Sequence, residues 1–196
     1  MTKEWNCPNC GTQKLTGEFC GNCGTKKPAL IFFYCEKCRK FVDTKFCPDC
    51  GEQAKAIEII LKEEKSWRDN NWGTEGYFKL ESPNLSDEEL KKILGFTMIE
   101  KPWKYEKKWT EAYTLARCSD TDGFTDWQLP SVKELETVYK ILKFYGLETS
   151  GLRKGNSTYF WSYTTKNSDV AWSVNFFSGG VVGLNKSFTN SVRCVR

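Results

Sequence analysis

The chain has 196 residues, with 29 Lys or Arg against 25 Asp or Glu, and its formal net charge is +4 at pH 7. It contains no histidine, which excludes Ser-His-Asp and Cys-His catalytic groups, zinc-protease motifs and mixed Cys/His zinc fingers. Any metal site must therefore use sulfur or oxygen ligands. The length fits one ordinary domain plus a small module, or two modest domains.

The ten cysteines are unevenly distributed. Eight form C-x-x-C pairs before residue 51, and only Cys118 and Cys194 lie in the remainder. No stretch approaches the ~20 apolar residues that span a bilayer, and the first residues contain no signal-peptide core. We therefore expect a cytoplasmic, reducing location and no membrane partner. There, paired C-x-x-C motifs bind metal more often than they form disulfides.

The first fifty residues repeat a four-cysteine pattern. Two C-x-x-C pairs are separated by nine residues in the first unit and by eight in the second. In such a pair two thiolates bind one ion, and a glycine after the second cysteine permits the positive φ that closes the turn. We predict two closed four-cysteine sites, each for one structural Zn²⁺. The predicted ligands are Cys7, Cys10, Cys20, Cys23, Cys35, Cys38, Cys47 and Cys50.

This pattern resembles double zinc ribbons. The loops hold too few apolar residues for a core, so metal binding, on the order of 10–16 kcal/mol, must supply the folding energy. Iron is an alternative to zinc because sulfur ligation suits both. Residues 1–53 carry eight basic and six acidic groups, and two Zn²⁺ with eight thiolates make the loaded module negative overall. We therefore expect it to dock a protein or act as a spacer, with nucleic acid a less favoured partner.

The rest of the chain begins with an ambiguous stretch. Residues 53–66 fit either a strand or a short helix, and we treat them as a linker. Ser86 with Glu89 forms a capping box that predicts a helix, and Ser131 with Glu134 forms another. A glycine follows each of these predicted helices and indicates where it ends.

A third helix is predicted over 107–118, where apolar residues recur at the i, i+3, i+4 and i+7 positions of one face. From residue 159 onward the pattern changes to strands and turns. Around 172–177 two sets alternate, which predicts one core face and one face that is exposed or contacts a partner. The helix face comprises Trp109, Ala112, Tyr113 and Ala116, and the alternating sets are Trp172, Val174 and Phe176 against Ser173, Asn175 and Phe177.

The C-terminal part contains these motifs in order: Trp109-Thr-Glu-Ala-Tyr, Asp126-Trp-Gln-Leu-Pro-Ser-Val-Lys-Glu-Leu135, Phe160-Trp-Ser-Tyr-Thr-Thr165, Ala171-Trp-Ser-Val-Asn-Phe176, Gly179, Lys186 and Val192-Arg-Cys-Val-Arg196. In order and spacing they resemble the Lcl C-terminal domain family. The resemblance implies an α+β, C-type-lectin-like fold of two helices packed on small antiparallel sheets. In C-type lectins a disulfide commonly joins the first helix to the last strand. Cys118 and Cys194 lie at the corresponding places, although a reducing compartment would leave them as neighbouring thiols.

These observations predict four regions along the chain. Zinc ribbon 1 covers 1–28, zinc ribbon 2 covers 29–52, the linker covers 53–66, and a C-type-lectin-like ligand-binding domain covers 67–196. The predicted fold class is α+β, with the lectin-like domain preceded by the two small four-cysteine zinc ribbons.

The resemblance also implies a function for the last forty residues. Many members of this family that end in the Val-Arg-Cys-Val-Arg string are target proteins of diversity-generating retroelements. There an error-prone reverse transcriptase turns AAC codons into any NNC codon, which encodes neither Trp, Met, Gln, Glu nor Lys. The presumed framework contains Trp161, Trp172 and Lys186, which NNC does not encode. The presumed variable, ligand-binding set, all NNC-encodable, is Tyr163, Asn167, Ser168, Asp169, Ser173, Phe177, Ser178, Gly180, Val182, Gly183, Leu184, Asn185, Ser187, Phe188, Thr189, Asn190 and Ser191.

The favoured hypothesis is a non-enzymatic binding protein whose diversified surface takes protein or other macromolecular ligands. An ordinary polar, turn-rich surface would also satisfy the codon rule. A second hypothesis is a nucleic-acid or transcription-associated adaptor that acts through the ribbons. A third is a cysteine oxidase of the formylglycine-generating type that uses Cys118 and Cys194. Calcium-dependent sugar binding is disfavoured, because the Glu-Pro-Asn and Trp-Asn-Asp motifs are absent.

Overall fold

The computed structural model describes residues 6–7, 9–17, 19–65, 76–117, 119, 121–148 and 156–196. In these ranges the chain is α+β, which confirms the predicted class. The helices are α1 (Asp87–Leu94), α2 (Trp109–Ala116) and α3 (Val132–Tyr145), with a 3-10 turn at Thr121–Gly123. The strands are β1 (Leu30–Cys35), β2 (Lys40–Val42), β3 (Lys55–Lys65), β4 (Gly76–Glu81), β5 (Met98–Glu100), β6 (Lys107–Lys108), β7 (Tyr159–Thr165), β8 (Val170–Asn175), β9 (Val181–Asn185) and β10 (Thr189–Asn190).

The two parts of the chain share one antiparallel sheet. Its strand order is β2-β1-β3-β4-β5. The first half of β3 pairs with β1, so that Ile59 lies opposite Leu30, and the second half pairs with β4, so that Ile60 lies opposite Glu81. Most of the stretch 53–66, treated above as a linker, is therefore an extended strand whose first half is hydrogen-bonded to β1 on one side and whose second half is hydrogen-bonded to β4 on the other.

Both predicted capping boxes are present. In α1, Ser86 Oγ accepts a hydrogen bond from Glu89 N at 3.3 Å, and the Glu89 carboxylate accepts one from Ser86 N at 2.9 Å. Ser131 and Glu134 make the same pair of bonds at the start of α3. Gly95 ends α1 in the left-handed conformation, with φ at 90°. The local signals at both ends of these helices therefore agree with the tertiary structure.

Helix α2 lies within the predicted range, but its apolar face is only partly in the core. Ala112 and Ala116 are buried, whereas Trp109 and Tyr113 are half-buried at the surface. The two aromatic rings stack on each other, with centroids 5.2 Å apart and planes at 15°. This side of α2 therefore forms part of the surface and part of the interior.

Two apolar clusters make up the core of the C-terminal part. The larger combines side chains from β3, β4, β5, α1, α3, β7 and β8. Leu30, Phe32, Tyr34 and Phe41, from β1 and β2, pack against this cluster. The second cysteine unit is therefore attached to the core by side chains as well as by the shared sheet. The smaller cluster contains three buried tryptophans, Trp103, Trp127 and Trp161.

The middle of β8 is covered on both faces, which corrects the prediction for Ser173. Val174 and Phe176 belong to the larger cluster, while Ala171 belongs to the smaller one. Ser173 is fully buried because it lies mid-strand, opposite Trp161 on β7, at a point where both faces of the sheet are covered. None of the helices in the described ranges is long and apolar enough to cross a bilayer.

Two candidate metal sites and a candidate binding surface

The eight N-terminal cysteines form two groups of four, in the predicted combinations. Within each group the four Sγ atoms lie within 4.8 Å of one another. In the first group Cys7 Sγ is 3.5 Å from Cys23 Sγ, and Cys10 Sγ is 3.6 Å from Cys20 Sγ. The matching distances in the second group, whose members are Cys35, Cys38, Cys47 and Cys50, are 3.6 and 3.8 Å.

These separations fit a metal ion and do not fit disulfides. A tetrahedral ion with metal–sulfur bonds of about 2.3 Å holds its sulfurs about 3.8 Å apart, whereas a disulfide requires about 2.05 Å. Each group could therefore hold one ion through four thiolates. A four-sulfur set without histidine or carboxylate suits zinc or iron, and it leaves no coordination position for substrate.

The backbone of each cysteine turn explains the spacing of the motif. Gly11, Gly24 and Gly51 follow the second cysteine of their pairs and have φ values of 72°, 70° and 72°. In the remaining pair Arg39 occupies this position with φ at 51°. The positive φ is thus a property of the turn itself. Glycine adopts it without strain, and arginine adopts it at a cost.

Threonine hydroxyl groups lie within hydrogen-bonding distance of two thiols in the first group. Thr12 Oγ1 lies 3.0 Å from Cys10 Sγ, and Thr25 Oγ1 lies 3.1 Å from Cys23 Sγ. The hydrogen bonds from Thr12 lower the pKa of Cys10 to about 5, and those from Thr25 lower the pKa of Cys23. Both contacts favour the thiolate, which is the form that binds metal. The two threonines occupy equivalent positions in the repeat, a signal that the sequence analysis missed.

Most of the predicted variable residues lie at the surface. They are concentrated in the turns that connect β7 to β8, β8 to β9 and β9 to β10. Among the large side chains, Phe177 is 80% exposed, Phe188 is 57% exposed and Tyr163 is 45% exposed. The exposed members of the set are Tyr163, Asn167, Ser168, Asp169, Phe177, Ser178, Gly180, Asn185, Ser187, Phe188 and Thr189, which we call the exposed set.

Three residues of the predicted set are buried and do not belong to the surface. Ser173 lies in the covered middle of β8. Asn190 Oδ1 accepts a hydrogen bond from Ser157 Oγ at 3.0 Å, and Ser191 Oγ donates to Ser157 O at 2.6 Å. Since these side chains are closed off from solvent, they cannot touch a ligand. The remaining three, Val182, Gly183 and Leu184 in β9, are half-buried.

Each of the three turns is stabilised by an asparagine at its start. The side-chain oxygen of Asn167 accepts from Asp169 N at 3.0 Å, that of Asn175 accepts from Phe177 N at 2.8 Å, and that of Asn185 accepts from Ser187 N at 2.9 Å. Such Asx turns fix the backbone locally. The exposed side chains are therefore presented by ordered turns.

Lys186 joins two of these turns to α2. Its N–H donates to Asp169 O at 2.8 Å, and its ammonium donates to the carbonyls of Asn167 and Ser168 at 3.2 and 2.9 Å. The same ammonium lies 4.4 Å from the centroid of the Trp109 ring. A framework role for Lys186 is thus consistent with its contacts, which fix the position of the β7–β8 turn.

Several surface residues on and beside α2 were not predicted from the sequence. The Arg117 guanidinium lies 4.9 Å from the Tyr113 ring centroid and donates to the Tyr113 hydroxyl at 3.0 Å. Tyr113 and Arg117 line a cavity of about 200 Å³ together with Tyr163 of the exposed set. The i, i+4 spacing of Tyr113 and Arg117 was the available signal.

A buried polar group contacts the turn that follows α2. The Glu100 carboxylate accepts hydrogen bonds from Trp103 Nε1 at 2.7 Å, Ser119 Oγ at 2.9 Å and Thr121 Oγ1. Burial raises the pKa of Glu100, and burial with the nearby Glu100 raises the pKa of Cys194 well above its usual value. The implied pairing of Cys194 with Cys118 lies outside the described residues.

The architecture defines the class of protein: an α+β domain preceded by two four-cysteine units. Residues 66–196 match the family model described as "Lcl C-terminal domain". Since this match covers more than half of the chain, the protein belongs to the Lcl C-terminal domain family. A search of curated proteins found no match.

Proposed function

We propose that this chain is a non-enzymatic ligand-binding protein of the diversity-generating retroelement type. Its C-terminal surface, on a C-type-lectin-like fold, is diversified to bind varied protein ligands. The two four-cysteine units are zinc ribbons that each hold one structural Zn²⁺. The second ribbon supports the binding domain, and the first remains available to dock a protein partner.

One observation carries this proposal. Eleven of the seventeen NNC-encodable positions are exposed, and eight of these lie in the turns that follow β7, β8 and β9. The β7–β8 and β9–β10 turns lie at one end of the sheet, and the β8–β9 turn lies at the other. Among the framework residues that NNC does not encode, Trp161 is fully buried and Lys186 holds two of the turns together. The codon rule says nothing about burial, so this separation between exposed and supporting residues is independent support for the proposal.

The composition of the exposed set suits protein recognition. Tyr and Phe bury a large area with little loss of rotamer entropy, while Ser, Asn and Gly adapt their hydrogen bonds to the ligand. The ordered Asx turns lower the entropy lost on binding, since the side chains start from fixed backbones. Replacing an exposed residue leaves the core unchanged, and this allows diversification without loss of the fold.

Two features disfavour the alternative functions. A cysteine oxidase needs a reactive thiolate, whereas Cys194 is fully buried and its pKa is raised well above the usual value. A phosphate-binding stripe needs unpaired basic groups, whereas Lys37 lies 3.3 Å from Glu52 in the second unit and Lys40 pairs with Asp49. Both observations leave binding at the exposed set as the favoured function.

The test is a pair of display libraries built on the full, zinc-loaded chain. One library randomises the exposed set with NNC codons, and the control randomises exposed positions of α1 such as Glu88, Lys91 and Lys92. Both are selected against the same panel of folded proteins. We expect specific binders from the first library only, with affinity reduced at least tenfold when an aromatic anchor is changed to Ala. Equal yields from the two libraries would contradict the proposal.

A further inference from the structure

Strand β9 has an open edge. In the sheet β7-β8-β9 it lies on the outside and pairs only with β8 among the described strands. Its sequence, Val181–Asn185, contains neither proline nor a charged residue. Natural sheets usually protect an edge with such residues or cover it, because unpaired backbone groups pair with other strands.

The hydrogen-bond pattern identifies which groups point outward. At the two ends of the β8–β9 pair, Lys186 N donates to Asp169 O and Asn175 N donates to Gly180 O. In an antiparallel pair the bonded residues alternate, so Val182 and Leu184 direct their backbone groups to β8. Val181 and Gly183 therefore direct theirs away from it. No other described residue supplies a hydrogen-bond partner for these outward groups.

The surroundings of this edge suit an extended polypeptide. Exposed phenylalanines stand in the turns at the two ends of β9: Phe177 before the strand and Phe188 after it. Val181 is itself 41% exposed. The site thus offers main-chain donors and acceptors in the centre and apolar contacts at each end.

We propose that a protein ligand adds an extended segment to β9 as a fourth strand of this sheet. Main-chain bonds to Val181 and Gly183 supply affinity that does not depend on the ligand's sequence, while the variable side chains at the ends supply specificity. This inference rests on the proposed function, which it deepens by naming the form that the ligand takes.

A second copy of the chain is the other candidate for this edge. In an antiparallel pairing centred on Val182, Val181 of each copy would bond to Gly183 of the other, so the backbone by itself does not exclude a dimer. A ligand segment is favoured because the turns at both ends of β9 carry exposed side chains of the predicted variable set.

The test uses linear random peptides displayed on phage and selected on the full, zinc-loaded chain. Val181→Pro removes the outward N–H and leaves the bonds to β8 intact, since proline is tolerated on edge strands. Val181→Thr keeps the N–H and is the matched control. We expect Val181→Pro to weaken the selected peptides at least tenfold more than Val181→Thr does. N-methylation of alternate peptide amides should weaken binding to the unaltered chain, whatever the stability of the variants.

Three results would overturn the inference. The first is that the selected peptides lose affinity with Phe177→Ala or Phe188→Ala but bind Val181→Pro normally. This result would contradict strand addition at β9 and would still support the proposed binding surface. The second is failure to select any peptide. The third is a concentration-dependent dimer that Val181→Pro dissociates, because a second copy would then occupy the edge. Peptides that bind equally to all these variants would also contradict the proposed function.

Discussion

Phe176 and Phe177 are neighbours in the chain with opposite environments. Phe176 is fully buried, and its ring centroid lies 4.4 Å from that of Phe160, whereas Phe177 is 80% exposed. We expect Phe176→Ala to lower the free energy of unfolding by about 3–5 kcal/mol. Phe177→Ala should change it by less than about 0.5 kcal/mol. Urea unfolding followed by tryptophan fluorescence measures both, and a large loss for Phe177→Ala would show that this ring supports the fold.

The cysteine turns allow a similar comparison between two glycines. Gly24 has φ at 70°, while Gly21 has no positive φ, and a Cβ on either would meet no atom within 4 Å. Gly24→Ala should therefore weaken metal binding through backbone strain alone, by about 1–2 kcal/mol. Gly21→Ala should leave it unchanged. Competition with a chromophoric chelator gives the zinc affinity, and equal affinities for the two variants would contradict this account of the turn.

At the scale of the elements, the β8–β9 turn packs against α3 through a glycine. Gly179 has φ at 80°, and a Cβ there would lie 2.4 Å from the Tyr139 ring. At the adjacent Gly180 the nearest atom would be Ser178 Oγ at 3.4 Å. Gly179 is a framework residue in our account, and Gly180 is a variable one.

Gly179→Ala should combine backbone strain with overpacking and lower the free energy of unfolding by about 2–4 kcal/mol. Gly180→Ala should change it by less than about 0.5 kcal/mol. Thermal unfolding of the two variants beside the unaltered chain checks this. Equal tolerance at both positions would remove the distinction between framework and variable residues in this turn.

The elements that could be predicted are those specified by local contacts. The capping boxes at Ser86 and Ser131 act within four residues, and both helices begin where predicted. The cysteine turns are equally local, and the four-sulfur groups have the predicted members. In contrast, 53–66 was ambiguous because β3 pairs with partners from both parts of the chain, and local periodicity does not reveal such pairing.

The candidate surface was less predictable than the metal sites for a related reason. Ser173, Asn190 and Ser191 have small polar side chains, as exposed turn residues do. Ser173 is buried opposite Trp161 on the neighbouring strand β7. Asn190 and Ser191 are buried against Ser157, which is more than thirty residues earlier in the chain. Codon compatibility is a property of residue type alone, so it cannot separate a buried serine from an exposed one.

At the scale of the whole molecule, the two cysteine units are attached differently. The second unit packs Leu30, Phe32 and Phe41 against the larger core cluster, and its strand β1 pairs with β3. In the first unit Cys7, Cys20 and Leu15 form a small cluster of their own. The stability of the binding domain should therefore depend on the second metal ion and not on the first.

Cys47→Ser and Cys20→Ser test this difference. Each should lower the zinc content, which elemental analysis measures, from two ions to one. Loss of the second site should expose the apolar side chains of β1 and lower the free energy of unfolding of the binding domain by about 2–4 kcal/mol. Loss of the first should change it by less than about 0.5 kcal/mol. The buried tryptophans Trp103, Trp127 and Trp161 report this unfolding by fluorescence, and equal effects would contradict the proposed support by the second ribbon.

The central claim is that the exposed set is diversified for ligand binding, and gene sequencing tests it most directly. The gene and its flanking DNA should be sequenced across a population of the source organism. We predict substitutions confined to positions that are adenines in a nearby near-repeat, with a reverse transcriptase gene alongside. Codons for exposed residues such as Phe177 and Phe188 should vary, while those for Phe176, Gly179 and Lys186 stay constant. An invariant C-terminal segment without a repeat would contradict the claim.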